Sequence, residues 1–261
     1  MSSKLKTLFL LSIISLFTTS CVFKKDVVYF QDVQPNGSTP INYTLPNIQV
    51  NDILNIKVTA LVPESVAVFN SMNNSLETST TNMAFSTDIL KLYGYLVSAD
   101  GTITFPVIGR MMAKGKTTRQ IEDYIIGRLV DEGYVKNPVV AVRILNAKFS
   151  VLGEVRNPGT YSYIEQSITL PQALGIAGDM NISGERKNVL IIRDEDGNRT
   201  YKKIDMTKTD WFNSPYYFIK QNDVIIVNPN GAKVATAGYL GNVANLLSVV
   251  ATFLTLYVLI R

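Results

Sequence analysis

The chain has 261 residues, 46% of them apolar and 18% charged, with no histidine and one cysteine. That length suits one or two domains with a full core, while the missing residue types exclude Ser-His-Asp and Cys-His nucleophiles, His-ligated zinc or haem, internal disulfides and iron–sulfur clusters. Catalysis would have to rest on carboxylates, Lys or Tyr, and the small, scattered formal charge of +4 gives no nucleic-acid footprint.

Residues 1–20 read as an export signal. Lys4 and Lys6 precede an apolar run, Leu8–Phe17, too short to span a bilayer, and Thr18-Thr19-Ser20 supply small residues before Cys21. Removing that leader lowers the net charge to +2. The only cysteine stands where cleavage is expected, as in a bacterial lipoprotein signal whose first mature residue is lipidated, although Thr18 stands where Leu is commonest. Residues 21–46 then read as the lipidated N-terminus and a polar, Pro- and Asn-containing tether.

A first α+β unit is expected over residues 47–146. An Asn51-Asp52 turn starts an alternating strand through Val58. A polar insert around Ser71–Thr87 reads as a surface loop. Tyr95–Val97, the turn Ala99-Asp100-Gly101 and a strand Thr102–Ile108, running through Pro106 into Gly109, come next. Thr117 to Glu132 is expected to be helical, with Ile121, Ile125 and Leu129 on one face and Gly133 as its stop. Pro138 introduces a strand, Val139–Leu145, read as apolar throughout. The segment Gly109…Gly115-Lys116-Thr117 imitates a phosphate-binding loop, but five residues separate its glycines where four are needed. Thr117 with Gln120 reads better as a capping box.

A second unit is expected over residues 147–230. The strand Phe149–Val155 ends in the turn Arg156-Asn157-Pro158-Gly159, and Thr160–Tyr163 starts the return. Thr169 with Gln172 is another capping box, opening a short helix closed by Gly178. Val189–Arg193 and Thr200–Ile204 flank an acidic turn, Asp194-Glu195-Asp196-Gly197-Asn198. Its Gly arrives too early for a calcium loop, so it reads as a solvated hairpin. Asp223–Val227 is the closing strand, and no metal or cofactor is expected.

Residues 238–261 read as a C-terminal transmembrane helix. The stretch Val243–Ile260 would be about 27 Å long as a helix, with Tyr239 and Tyr257 toward its ends. Gly241, Asn245, Ser248, Thr252 and Thr255 fall in one narrow arc opposite Leu246, Val249, Phe253 and Leu256. That small, polar face suits a water-lined lumen or a close helix seam; a plain anchor whose hydroxyls bond back to their own helix is the alternative.

These segments carry a resemblance. Gly153-Glu154-Val155-Arg156-Asn157-Pro158-Gly159-Thr160-Tyr161, followed by Ala177-Gly178 and Asp223–Val227, resembles a soluble-ligand-binding β-grasp (SLBB) domain. Asn51-Asp52-Ile53-Leu54, Gly101-Thr102-Ile103, Pro106-Val107-Ile108-Gly109 and Asn137-Pro138 resemble a polysaccharide export domain. In order, the whole of residues 22–261 resembles outer-membrane polysaccharide export proteins of the Wza type. The resemblance implies structural roles for Asp52, Gly101, Pro106, Gly109, Gly153, Glu154, Pro158, Gly159 and Gly178. It also implies a lipid-anchored, eight-fold ring of identical chains in the outer membrane, with its domains in the periplasm. Such a ring passes capsular polysaccharide or exopolysaccharide from an inner-membrane co-polymerase or tyrosine-kinase-type partner, and is not an enzyme. The residues alone leave open a periplasmic lipoprotein that captures a soluble sugar.

Overall fold

The structure is a computed structural model that describes residues 24–34, 36–38, 40, 41, 43, 45–70, 91–195, 197–236, 247–252, 255 and 259. Cys21 and the polar insert lie outside the described residues. Two hydrophobic cores organise the rest, and each forms where alternating strands meet a helix.

In the first, β1 (Ile53–Thr59) is the centre of an antiparallel sheet, flanked by β2 (Tyr95–Leu96) and β5 (Val139–Ile144). Period-2 alternation sends Leu54, Ile56 and Val58 to one face. The 14-residue helix α1 (Thr118–Asp131) lays Ile121, Ile125 and Leu129, spaced by four, against them. Thr117 and Gln120 form the expected reciprocal capping box, so Thr117 accepts from the Gln120 N–H while Gln120 accepts from the Thr117 N–H. The side chain of Asn70 imitates a neighbouring strand. It accepts from the Val58 N–H at 3.0 Å and donates to the Val58 carbonyl at 2.6 Å.

Two readings of this unit change. The stretch Thr102–Ile108 is not one strand: β3 (Thr102–Phe105) turns back into β4 (Gly109–Met112). Pro106 cannot continue a ladder, and Ile108 N–H closes a three-residue turn on the Pro106 carbonyl at 2.8 Å with Val107 at φ 66°. Nor is β5 apolar throughout. It is an edge strand that buries Val140 and Val142 while exposing Val139, Ala141 and Arg143.

The second core fills a five-stranded mixed sheet of order β10-β9-β12-β6-β7. Its members are β6 (Lys148–Gly153), β7 (Gly159–Ser162), β9 (Val189–Glu195), β10 (Asn198–Ile204) and β12 (Val224–Val227). Strands β12 and β6 run parallel and every other pair in this sheet is antiparallel. Two short strands, β8 (Ile168–Thr169) and β11 (Phe218–Ile219), pair beside the helix α2 (Leu170–Ile176), which carries the second capping box. A last short helix, α3, spans Gly231–Thr236. Ile144, at the end of β5, packs against both cores and joins them.

The segment read as a tether is, over its described residues, laid on the second unit. Phe30 N–H and Gln31 N–H donate to the carbonyls of Met206 and Thr207 at 3.2 and 2.7 Å. Tyr29 donates to Asp179 at 2.6 Å, and Phe30 sits edge-on to Phe212 beside Trp211. Residues 247–252, 255 and 259 are helical, but the expected span over residues 238–261 lies largely outside the described residues. Among the described residues no helix is long and apolar enough to cross a membrane.

Candidate functional site

The two units meet at a pair of turns with the same construction. In Gln49-Val50-Asn51-Asp52, Asn51 takes φ 69° and the Asp52 carboxylate accepts from the Gln49 N–H at 2.9 Å, releasing the chain into β1. In Lys220-Gln221-Asn222-Asp223, Asn222 takes φ 63° and Asp223 accepts from the Lys220 N–H at 2.9 Å, releasing the chain into β12. Asn is the ordinary L-residue that tolerates the left-handed region, and Asp is the side chain that bonds its own backbone. Both carboxylates are fully buried.

Their partners differ. Asp223 meets the buried guanidinium of Arg193 in a two-pronged pair, Nε to Oδ1 at 2.9 Å and Nη2 to Oδ2 at 2.7 Å. Arg193 gives two further hydrogen bonds to the carbonyls of Pro215 and Phe218, and its plane lies over Tyr216. Among the described residues Asp52 has no cation partner. Its Oδ1 accepts from Nε2 of Gln221, in the turn of the other unit, at 2.6 Å. Burial pushes the Asp52 carboxyl up to about 6, against the pull of the Gln49 and Gln221 hydrogen bonds.

Beside this contact lies a cleft of about 400 Å³ between the units. The first unit contributes Pro46, Gln49, Glu122 and the β5 edge from Ala141 to Ile144; the second contributes Tyr163 to Gln166, Glu195, Lys220 and Gln221. Lys220 is paired with Glu195 at 2.5 Å, and Glu122 accepts from the Val142 N–H at 2.9 Å. Oε1 of Gln221 is buried and has no hydrogen-bond partner among the described residues. Burial, then the nearby Asp223 and Asp52, raise the Tyr163 hydroxyl, which therefore stays protonated.

The residues singled out in the sequence fall into separate places. Gly101, Pro106 and Gly109 shape the β3–β4 hairpin, whose base is closed by Ala113 N–H on the Gly101 carbonyl at 2.9 Å. Gly153 is required by space, since a Cβ there would lie 2.0 Å from the Val227 carbonyl oxygen, at φ 90°. Glu154 accepts from the Ser183 hydroxyl at 2.6 Å, which holds its carboxyl below the usual range. Pro158 and Gly159 turn β6 into β7, where Tyr161 donates to the Asn157 carbonyl. At Gly178 a Cβ would meet Arg156 at 2.9 Å. Only Asp52 of this set touches the junction. The acidic hairpin is tied down by pairs: Asp194 to Arg199 at 2.7 Å and Glu195 to Lys220.

Cys21, Gly241 and Asn245 lie outside the described residues. Of the remaining stripe, Thr252 donates to the Ser248 carbonyl at 2.7 Å and Thr255 to the Ala251 carbonyl. Those two hydroxyls are bonded within their own helix. Sequence reading missed Gln221, Tyr163 and the buried Arg193. The last had a signal, a cation directly after the apolar run Val189–Ile192 within the same strand.

Fold and junction define a two-core, mixed α/β protein whose units are joined through buried turns and a polar cleft. Residues 42–145, which make up the first unit, match the family described as polysaccharide biosynthesis/export protein. The chain is 35% identical over 104 residues to the EPS I polysaccharide export outer membrane protein EpsA of Ralstonia solanacearum, covering 38% of this chain and 27% of that protein. It is 36% identical over 107 residues to the protein of the same name in Ralstonia nicotianae, with the same shares. The match thus spans about a quarter of the length of these relatives.

Proposed function

We propose that this chain is an outer-membrane part of the machinery that exports polysaccharide, a transport component and not an enzyme. The observation that carries the reading is the family match over residues 42–145, which coincides with the first folded unit. In the fuller form of the proposal, Cys21 is the lipidated first residue and copies of the chain assemble into a ring-shaped conduit for capsular polysaccharide or exopolysaccharide. The second unit is its SLBB layer, and an inner-membrane co-polymerase hands over the polymer.

The docked N-terminal segment supports this arrangement. Lys187 pairs with Asp26 at 2.6 Å, only five residues beyond Cys21. Five residues span at most roughly 17 Å, so an acyl chain on Cys21 would hold the second unit close to the membrane. The C-terminal helix is a second membrane contact in this scheme. With the hydroxyls of Thr252 and Thr255 bonded within their own helix, it acts as a plain anchor rather than a lumen wall.

Gene deletion with complementation tests the reading. Surface polysaccharide should vanish on deletion and return with the wild-type chain. The Cys21→Ser variant should take up no lipid label, and the detergent-extracted particle should image as a hollow ring. Undiminished polymer in the deletion strain overturns the export role; a monomeric particle replaces the conduit by a ligand-capturing lipoprotein.

A further inference from the structure

We propose that the cleft between the two units is a binding subsite for an uncharged oligosaccharide segment. The proposal rests on the export reading for its choice of polymer, but its location comes from the junction itself. A volume of about 400 Å³ lies in the range of small-molecule sites, which favour domain boundaries. The chemistry of the walls decides the class of occupant. Three carboxylates, Glu122, Glu165 and Glu195, face two cations, Arg143 and Lys220, and Lys220 is already bound to Glu195. No surplus of positive charge exists there for a phosphate or a uronate.

What the walls do offer is amides. Gln49 and Gln166 line the cleft together with Gln221, and each amide can donate and accept at once, as adjacent sugar hydroxyls require. Gln221 already gives its N–H to Asp52 and holds an acceptor oxygen without a partner. The Tyr163 hydroxyl, kept protonated, adds a further group able to donate or accept. Pro46 and the exposed Ile164 supply apolar surface for the C–H face of a pyranose ring. Because the walls come from both units, an occupant would bridge them.

Saturation-transfer NMR on the full chain in detergent, with maltotetraose, cellotetraose and tetra-N-acetylchitotetraose as probes and tetragalacturonate as the charged counterpart, tests this. At least one neutral probe should receive saturation. Ala141→Trp, an exposed lining position on β5, should weaken binding at least about tenfold, while Val139→Trp, exposed on the same strand outside the cleft, should leave it unchanged. Should Ala141→Trp not fold, the exposed Gln166→Ala decides, with weakening of several-fold expected. The inference falls if no neutral probe binds, if tetragalacturonate binds equally well, or if the deciding cleft variant binds like wild type. These outcomes are independent of the deletion experiment. Lost export without oligosaccharide binding sinks the cleft alone, and binding with undiminished export in the deletion strain sinks the export role alone.

Discussion

The turns Gln49–Asp52 and Lys220–Asp223 share a backbone and differ in their electrostatics. Each places an Asn in the left-handed region, buries an Asp that clasps the N–H three residues back, and feeds a central strand. In the second unit the buried charge meets Arg193, which also donates to two carbonyls, so the pair is neutral within its own unit. In the first, the charge meets a neutral amide belonging to the other unit. One carboxylate therefore holds its own unit together, while the other ties two units to each other and is poised near its titration point. Identical local chemistry has been put to a structural use in one place and a connecting use in the other.

The largest effect should follow from removing the cation. Arg193→Leu leaves Asp223 buried without its partner and should destabilise the second unit by about 4 kcal/mol. The only tryptophan, Trp211, is buried in that core and reports its unfolding directly by fluorescence in a urea series. Loss below about 1 kcal/mol would mean that Asp223 is already neutral in the folded chain, erasing the contrast.

The second test concerns pH. The folded carboxyl of Asp52 titrates near 6 and an ordinary aspartate near 3.8. Between those values the folded chain keeps a proton that the unfolded chain has released, so stability falls as pH rises from about 4 to 6. Above that window the full penalty, up to about 3 kcal/mol, applies. Asp52→Asn should flatten this slope. The Gln49 N–H can still donate to the new carbonyl, and a turned Gln221 amide can accept from the new NH₂ through the oxygen that is now unpartnered. Parallel slopes for variant and wild type between pH 4 and 7 would show that the junction charge is not the titrating group.

Gln221→Leu probes the same contact from the other side. A hydrogen bond to a carboxylate contributes more than one to a neutral acid, so the variant should cost about 2 kcal/mol at pH 7.5 and about 1 kcal/mol at pH 4.5. An equal cost at both pH values would assign Gln221 a packing role only.

How far this comparison was legible in the sequence follows from its range. Asn51-Asp52 before an alternating strand is a local signal, as are the boxes Thr117/Gln120 and Thr169/Gln172, and all three stand in the structure as written. Asn222-Asp223 carries the identical signal, but in the sequence it reads only as the start of the closing strand. The pairing of Gln221 with Asp52 spans 169 positions, and nothing in either tetrapeptide announces it. The β3–β4 hairpin was hidden because Val107 is a poor candidate for φ 66°, so only Pro106 warned of a break. Polar composition suggested a tether, but the aromatic residues Tyr29 and Phe30 within it had a ready place among Trp211, Phe212 and Tyr217.

The smallest expected effect sharpens the likeness of the two turns rather than their difference. Asn51 and Asn222 are needed for their backbone alone, because φ near +65° costs an alanine roughly 1 kcal/mol and costs glycine nothing. Asn51→Ala and Asn222→Ala should each lose about 1 kcal/mol, and the glycine variants should stay within about 0.5 kcal/mol of wild type. Trp211 turns that pair into a measure of coupling. If the units unfold independently, its fluorescence registers Asn222→Ala and ignores Asn51→Ala. If the Asp52–Gln221 contact and the shared packing of Ile144 make one cooperative body, both variants shift its transition equally. The junction geometry predicts the second outcome above pH 6, where Asp52 is charged and its bond to Gln221 strongest, with the two transitions separating once Gln221→Leu is added.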